Sequence, residues 1–136
     1  MAALLQLSVF AENRPGRLEK MTKVFADEGI NILAIYISSI GDFGAVKLIV
    51  DKTDEAARSL KEKGFTVSLN EVLGIELEDR PGMLYEVVRV LGKHAINVEN
   101  IHVLVIESRH TAYLIVEVED VAAAKELLKN EPIRFY

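Results

Sequence analysis

The sequence predicts an α+β fold made of two tandem βαββαβ modules, and three observations carry that prediction. Glu12-Asn13-Arg14-Pro15-Gly16-Arg17-Leu18 recurs as Glu78-Asp79-Arg80-Pro81-Gly82-Met83-Leu84, an offset of 81 − 15 = 66 residues. Leu7–Ala57 laid without a gap over Leu73–Ala123 gives 17 identities in 51 pairs, which marks a duplication. Within each copy, apolar residues alternate between the period of a strand and the period of a helix, in the order βαββαβ. Such a unit folds as a four-stranded antiparallel sheet with both helices on one face. A 66-residue period is too long for a solenoid turn, so the modules are placed at residues 1–69 and 70–136. Units this small lie near the lower limit of independent stability. The copies are therefore expected to pack together or against a second chain.

In the first copy, Leu5, Leu7 and Val9 alternate with Gln6 and Ser8, as in a half-buried strand. After Asn-Arg-Pro-Gly, the apolar residues Leu18, Met21, Phe25 and Ala26 fall at helical spacing. Pro15 suits the first helical position, where its missing N–H has no partner to lose, and Gly29 ends the helix. Ile30–Ile40 is rich in β-branched residues, and Gly41-Asp42-Phe43-Gly44 turns it into a strand over Ala45–Val50. A second helix follows, with Thr53 as its cap and Ala56, Ala57 and Leu60 on one side. Phe65–Leu69 closes the unit as a last strand.

The second copy repeats this order. Leu73, Ile75 and Leu77 alternate with Gly74, Glu76 and Glu78, and Leu84, Val87, Val88 and Leu91 form an i, i+3, i+4, i+7 stripe. Ile96–Ile106 and Thr111–Val118 pair around a turn at Glu107–His110. Val121, Ala124 and Leu128 line the second helix, and Ile133–Tyr136 is the final strand. The helices are expected to bury Leu18, Met21, Leu84, Val88, Leu91 and Leu128.

Composition narrows the function. Half of the residues are hydrophobic and 27% are charged, and no apolar tract is long enough to span a membrane. The N-terminus has no basic leader region and runs directly into strand-like alternation. The absence of cysteine removes disulfides, thiolate catalysis and cysteine-ligated metals, and it fits a cytoplasmic protein. A net charge of −5 opposes nucleic acid and anionic membranes as partners. His94, His102 and His110 recur every eight residues, but on a helix end, a strand and a turn, so no metal site is expected. Glu76, Glu78 and Asp79 read as a solvated strand edge rather than an acid–base pair. No nucleophile and base are legible, so the chain is read as neither an enzyme nor a cofactor binder.

The repeated segment joins the first strand of each copy to its first helix. Such a junction presents unpaired backbone N–H groups and the positive end of the helix dipole, which suit a carboxylate or phosphate. The candidate loops are Pro15, Gly16, Arg17 and Leu18, and Pro81, Gly82, Met83 and Leu84. Gly16 and Gly82 carry no side chain to hold a ligand off the backbone. Asn13 and Asn31 add amide donors and acceptors. The structural alternative is that Asn13 caps the helix, Gly16 relieves crowding and Asn31 turns the chain.

Asp/Asn-x-Pro-Gly-x-Leu after a strand, then a helix, then Gly29-Ile30-Asn31-Ile32 at the next strand, resembles the ACT domain. The resemblance covers the whole chain as two tandem copies of a ferredoxin-like unit. The first copy is especially similar to the regulatory domain of phosphoglycerate dehydrogenase, and freestanding tandem ACT proteins include relatives of acetolactate synthase regulatory subunits. The resemblance implies that ACT modules pair side by side and bind an amino acid where they meet. It assigns ligand contacts to Asn13 and Asn31, and to Asp79 and Asn97 in the second copy. Pairing of that kind would set Asn13 against Asn97 and Asp79 against Asn31. The histidine of the serine-binding version is Ala11 here and Leu77 in the second copy, so serine is not implied as the ligand.

The expected function is therefore non-catalytic regulation through a bound amino acid. Two other readings compete with it. One is a regulatory subunit that docks on an amino-acid biosynthetic enzyme through its sheet face without binding a ligand. The other is an RNA-recognition-type module, which shares the βαββαβ order but requires stacking aromatics and a basic surface. A homodimer is also expected. Ile30–Ile40 and Ile96–Ile106 are apolar at both parities (Ile32 and Leu33, Ile35 and Tyr36, Val103 and Leu104), while helices cover only one sheet face.

Overall fold

The computed structural model describes residues 4–105 and 110–136. Its elements are β1 (Leu4–Glu12), α1 (Arg17–Glu28), β2 (Ile32–Ile40), β3 (Phe43–Val50), α2 (Thr53–Glu62), β4 (Thr66–Glu78), α3 (Met83–Lys93), β5 (Asn100–Val105), β6 (Thr111–Glu117), α4 (Val121–Leu128) and β7 (Arg134–Phe135). Two units emerge, Leu5–Asn70 and Glu71–Tyr136, the latter joined by Leu4. In the first, the strands run in the order β2-β3-β1-β4; in the second, β4 lies between β7 and β6, and β5 is outermost. The pairings β1–β3, β2–β3, β4–β6, β4–β7 and β5–β6 are antiparallel.

The two strands expected on either side of Asn70-Glu71 are one. β4 runs unbroken for 13 residues from Thr66 to Glu78, so the described residues form seven strands where the repeat implies eight. Asn70 and Glu71 lack the φ restriction of Pro or the freedom of Gly, and nothing in them interrupts extended backbone. Other bounds shift for local reasons. Phe43 and Gly44 belong to β3, because Ile40 pairs with Phe43 and leaves Gly41-Asp42 as a two-residue hairpin loop. Gly41, at φ 61°, supplies the left-handed residue such loops require. β5 begins at Asn100 rather than Ile96, since Ile96 and Val98 pack against the core ahead of the ladder. Glu107, and the predicted strand end at Ile106, lie outside the described residues.

Each unit has its own core under its helices. Leu7, Val9, Met21, Phe25, Val46, Leu48, Ala56 and Leu60 form the first. Leu73, Ile75, Val87, Leu91, Leu114, Val116, Ala124 and Leu128 form the second. The expected burial of Met21, Leu91 and Leu128 holds, but Leu18, Leu84 and Val88 are 41%, 48% and 42% exposed. Ala26 is exposed as well. The buried stripe of α3 is Val87, Val90 and Leu91, and that of α1 is Met21, Val24 and Phe25. Val88 lies about 100° around the helix from Val87, beyond the edge of this stripe, and Leu84 sits at its rim in the first turn of α3. Four apolar residues at helical spacing did not decide which arc faced the sheet.

The sheet faces also differ from expectation. Gln6 and Ser8 are buried although they alternate with the core residues of β1, and Ala34 and Ile49 are buried too. These four positions of the face opposite the helices are therefore withdrawn from solvent, while Phe10 on the same face of β1 is exposed. The exposed apolar side chains of β2 and β5 include Ile35, Ile37 and Val103. These pair directly with Leu48, Val46 and Leu114, so they lie on the helix side of outer strands that the helices do not fully cover. Leu33 is the extra residue of a bulge between Ile32 and Ala34, which accounts for two adjacent apolar parities.

Candidate functional site

The repeated motif builds the same turn twice. The Arg17 N–H donates to the Arg14 carbonyl at 3.3 Å, with Pro15 and Gly16 between them. Gly16 sits at φ 88°, ψ −14°, the third position of a type II turn, which excludes side chains other than Gly or Asn at low cost. Met83 N–H reaches Arg80 at 3.3 Å over Pro81 and Gly82, and Gly82 sits at φ 90°, ψ −12°. Pro15 is therefore the second residue of a turn, not the first of the helix, where its locked φ serves equally well. A Cβ at Gly16 or Gly82 meets nothing within 4 Å, so backbone conformation, not crowding, demands glycine.

Gly16 and Gly82 are also the helix N-caps, and no side chain caps α1 or α3. By contrast, Asp120 caps α4 by accepting from the Ala123 N–H at 3.0 Å. Thr53 is not a cap either; it is the first residue of α2, after Lys52. The Arg17 and Met83 N–H groups close the turns, and the N–H groups that follow them keep the anion-facing polarity of helix ends without a side-chain cap.

Asn13 is exposed and does not cap α1. Its side-chain amide donates to the Gly41 carbonyl at 3.3 Å, and its backbone N–H donates to the Asp42 carbonyl at 2.7 Å. The loop is thereby tied to the β2–β3 hairpin. The Asp79 N–H donates in the same way to the His110 carbonyl at 2.9 Å. Asn31 lies at the other end of its sheet, where its N–H donates to Asp51 Oδ1 at 3.0 Å. The eight residues of β3 separate Asp42 from Asp51, roughly 25 Å at the rise of a strand. Asn13 and Asn31 of one unit therefore do not converge on one small ligand. Asp79 and Asn97 are likewise split by the length of β6, since Glu99 binds Glu117 at its far end.

Several clefts adjoin these residues. One of about 290 Å³ is lined by Glu12, Arg14, Pro15, Gly16, Arg17 and Lys20. A smaller one of about 80 Å³ joins Asn13, Arg17 and Leu18 to Ile37, Ser39 and Gly44. In the second unit a cleft of about 460 Å³ runs from Arg80, Pro81, Gly82 and Met83 along Glu86 and Arg89 to Pro132 and Ile133. Leu84, an exposed residue, is not among its walls. Asn97 lines a separate cleft of about 200 Å³ with Glu99, Glu119 and Asp120, three carboxylates that favour an ammonium group over a carboxylate. Lys20 and Ser39 were not among the sequence candidates. Lys20 follows Arg17 by three, on the same helical face, and this spacing was a readable signal. Ser39 required the register of β2.

The charges in these walls are mostly paired. Arg14 binds Glu12, and Arg80 Nε lies 2.7 Å from Glu78 Oε2. Arg89 lies 3.1 Å from Glu86, whose hydrogen bond raises the guanidinium above its usual range. Farther along α3, Glu131 receives Lys93 Nζ at 2.8 Å and His94 Nε2 at 2.9 Å. Hydrogen bonds from Lys93 and His94 hold its carboxyl below the usual range. Among the described residues, no group of three or more His, Cys, Asp or Glu side chains is placed to hold a metal ion, and no helix is long and apolar enough to cross a membrane.

The chain is 30% identical to protein BT0572 of Bacteroides thetaiotaomicron, with a TM-score of 0.92 over 98% of this chain and 92% of that one. It shares its fold with the ligand-free regulatory subunit of aspartate kinase from Thermus thermophilus. That match has a TM-score of 0.66 and 18% identity, over 92% of this chain and 90% of the subunit. A stretch of 46 residues is 37% identical to D-3-phosphoglycerate dehydrogenase of Escherichia coli (strain K12), covering 34% of this chain but only 11% of the enzyme. Residues 2–136 match the ACT domain pair family. The chain belongs to the ACT domain pair family.

Proposed function

We propose that this protein is a non-catalytic regulator that binds a free amino acid at the Pro-Gly loops of its ACT modules. The observation that carries the reading is the twice-built type II turn, which leaves each following helix without a side-chain cap. A ligand carboxylate rests on the N–H groups of that helix end, and Asn13 orients the polar end of the ligand with either its carbonyl or its amide. Asn13 and Asn31 stand at opposite ends of one sheet, so the second half of each site comes from an apposed module, of the same or another copy. The regulatory subunit of aspartate kinase, whose fold is shared, supports a role in controlling an amino-acid biosynthetic enzyme. The exposed Ile35, Ile37 and Val103 of the outer strands support a homodimer.

Isothermal calorimetry of the full chain against the twenty amino acids tests this reading. Loss of one hydrogen bond to a charged group costs about 1.5–3 kcal/mol, roughly ten- to a hundredfold in affinity. Asn13→Ala should show that loss. The melting temperature should barely move, because the Asn13 amide bond is exposed and the backbone bond to Asp42 survives. Normal binding by the variant rejects the role given to Asn13, and silence with all twenty amino acids rejects the ligand class. Docking without a ligand would then be the better reading.

A further inference from the structure

We propose that the two loops have diverged in charge, and that the first, through Arg17 and Lys20, selects a ligand with a second anionic group besides its α-carboxylate. This inference rests on the amino-acid-binding reading above. The Glu–Arg pair is common to both loops, Glu12 with Arg14 and Glu78 with Arg80, and contributes no net charge to either. Within the loop and the first helical turn, charge differs at four other aligned positions: Asn13, Arg17, Glu19 and Lys20 become Asp79, Met83, Tyr85 and Glu86, and of these Arg17 and Lys20 line the first cleft.

In the first cleft the charged walls are Glu12, Arg14, Arg17 and Lys20, a net +2 in a chain of net −5. Neither Arg17 nor Lys20 has a carboxylate partner among the described residues. Glu19, on the same turn of α1, is not part of that wall. The Arg17 guanidinium lies over the Phe65 ring, 5.7 Å from its centroid, which restrains it beside the cleft. Arg17 Nε is buried without a hydrogen-bond acceptor. A desolvated cationic donor in that state is destabilising alone, and an anion in the cleft relieves it. One carboxylate answers one of the two cations. The other favours a second anionic group, a carboxylate or a phosphate. In the second loop Met83 brings no charge, Glu86 is held by Arg89, and Asp79 repels a carboxylate.

The test is calorimetry of the full chain with matched pairs: aspartate against asparagine, glutamate against glutamine, and O-phosphoserine against serine, with inorganic phosphate as a separate probe. In at least one pair the charged member should bind about ten- to a hundredfold more tightly at low ionic strength. The gap should narrow as salt is added. Arg17→Met with Lys20→Glu gives the first loop the residues of the second and should erase the gap. Lys20→Gln, at an exposed position, should reduce it without affecting folding, as circular dichroism will show. The three pairs distinguish a second carboxylate from a phosphate.

Neutral members binding as tightly as charged ones would overturn the charge divergence and leave the amino-acid reading standing. Phosphate binding that Lys20→Gln weakens, with no amino acid bound, would keep the anion cleft and overturn the amino-acid reading. No binding by any probe rejects both.

Discussion

Ala95 offers a quantitative test of how the two modules diverged. It occupies the position aligned with Gly29, one residue past His94 at the end of α3, and is the only non-glycine residue with positive φ among those described, at 55°. Gly29 sits at 66°. The hydrogen bonds agree: Gly29 N–H reaches Ala26 and Ile30 N–H reaches Phe25, while Ala95 N–H reaches Gly92 and Ile96 N–H reaches Leu91. Both helices therefore end in the same left-handed cap. A Cβ in that conformation costs about 1–2 kcal/mol. Glycine gives back about 0.5–1 kcal/mol through the greater freedom of the unfolded chain. Ala95→Gly should therefore stabilise the protein by about 0.5–1 kcal/mol. Gly29→Ala should destabilise it by a similar amount, since a Cβ there meets nothing within 4 Å and only backbone strain counts. Urea unfolding followed by circular dichroism, with unchanged m-values, measures both. A lower midpoint for Ala95→Gly would refute the argument, because it would mean that the alanine methyl contributes more through packing than its conformation costs.

Two further perturbations follow from local geometry. At Gly74 a Cβ would stand 2.8 Å from Leu4 Cδ2 and 3.1 Å from Tyr136 Cβ, beside the Tyr113–Tyr136 ring contact. Gly74→Ala should cost about 1–3 kcal/mol as overpacking, read from the urea midpoint, and an unchanged midpoint would show that Leu4 and Tyr136 yield freely. Glu131 titrates below its ordinary range because Lys93 and His94 donate to it. Its contribution to stability is therefore complete above the ordinary carboxylate range and is lost as pH falls through the depressed folded value. Melting temperatures between pH 7 and pH 3, measured for wild type and Glu131→Gln, should diverge least at the acid end, and parallel curves would exclude this carboxyl from the acid response.

The repeat was legible because duplication leaves identities at a constant offset, and the helices were legible because Pro-Gly, Gly29 and the 3.6-residue period mark their ends. The strand pairs followed from alternation and β-branched residues. Sequence also located the loops, since Pro15-Gly16 and Pro81-Gly82 are residues that a type II turn requires at those positions. These are local properties, set by the φ restriction of proline and the steric freedom of glycine within a few residues. The ACT resemblance rested on the same local signals.

Tertiary structure decided what local rules leave open. A helical stripe of four apolar residues is wide enough to face the sheet in more than one rotation, and packing chose Val87, Val90 and Leu91 over Leu84 and Val88. Alternation assigned Gln6 and Ser8 to solvent, yet both are buried, which the local period of β1 does not reveal. Continuity of β4 through Asn70 and Glu71 depended on strand pairing, not on those two residues. The same holds at the site. The residues of the loop are read from the chain, but their surroundings come from sheet register: Asn13 meets Gly41 and Asp42, and Asn31 meets Asp51. Sequence thus determined the repeated units and where each type II turn forms. Only the packed sheet, through its register and the length of its strands, determined that one module cannot bring both of its asparagines to a single ligand.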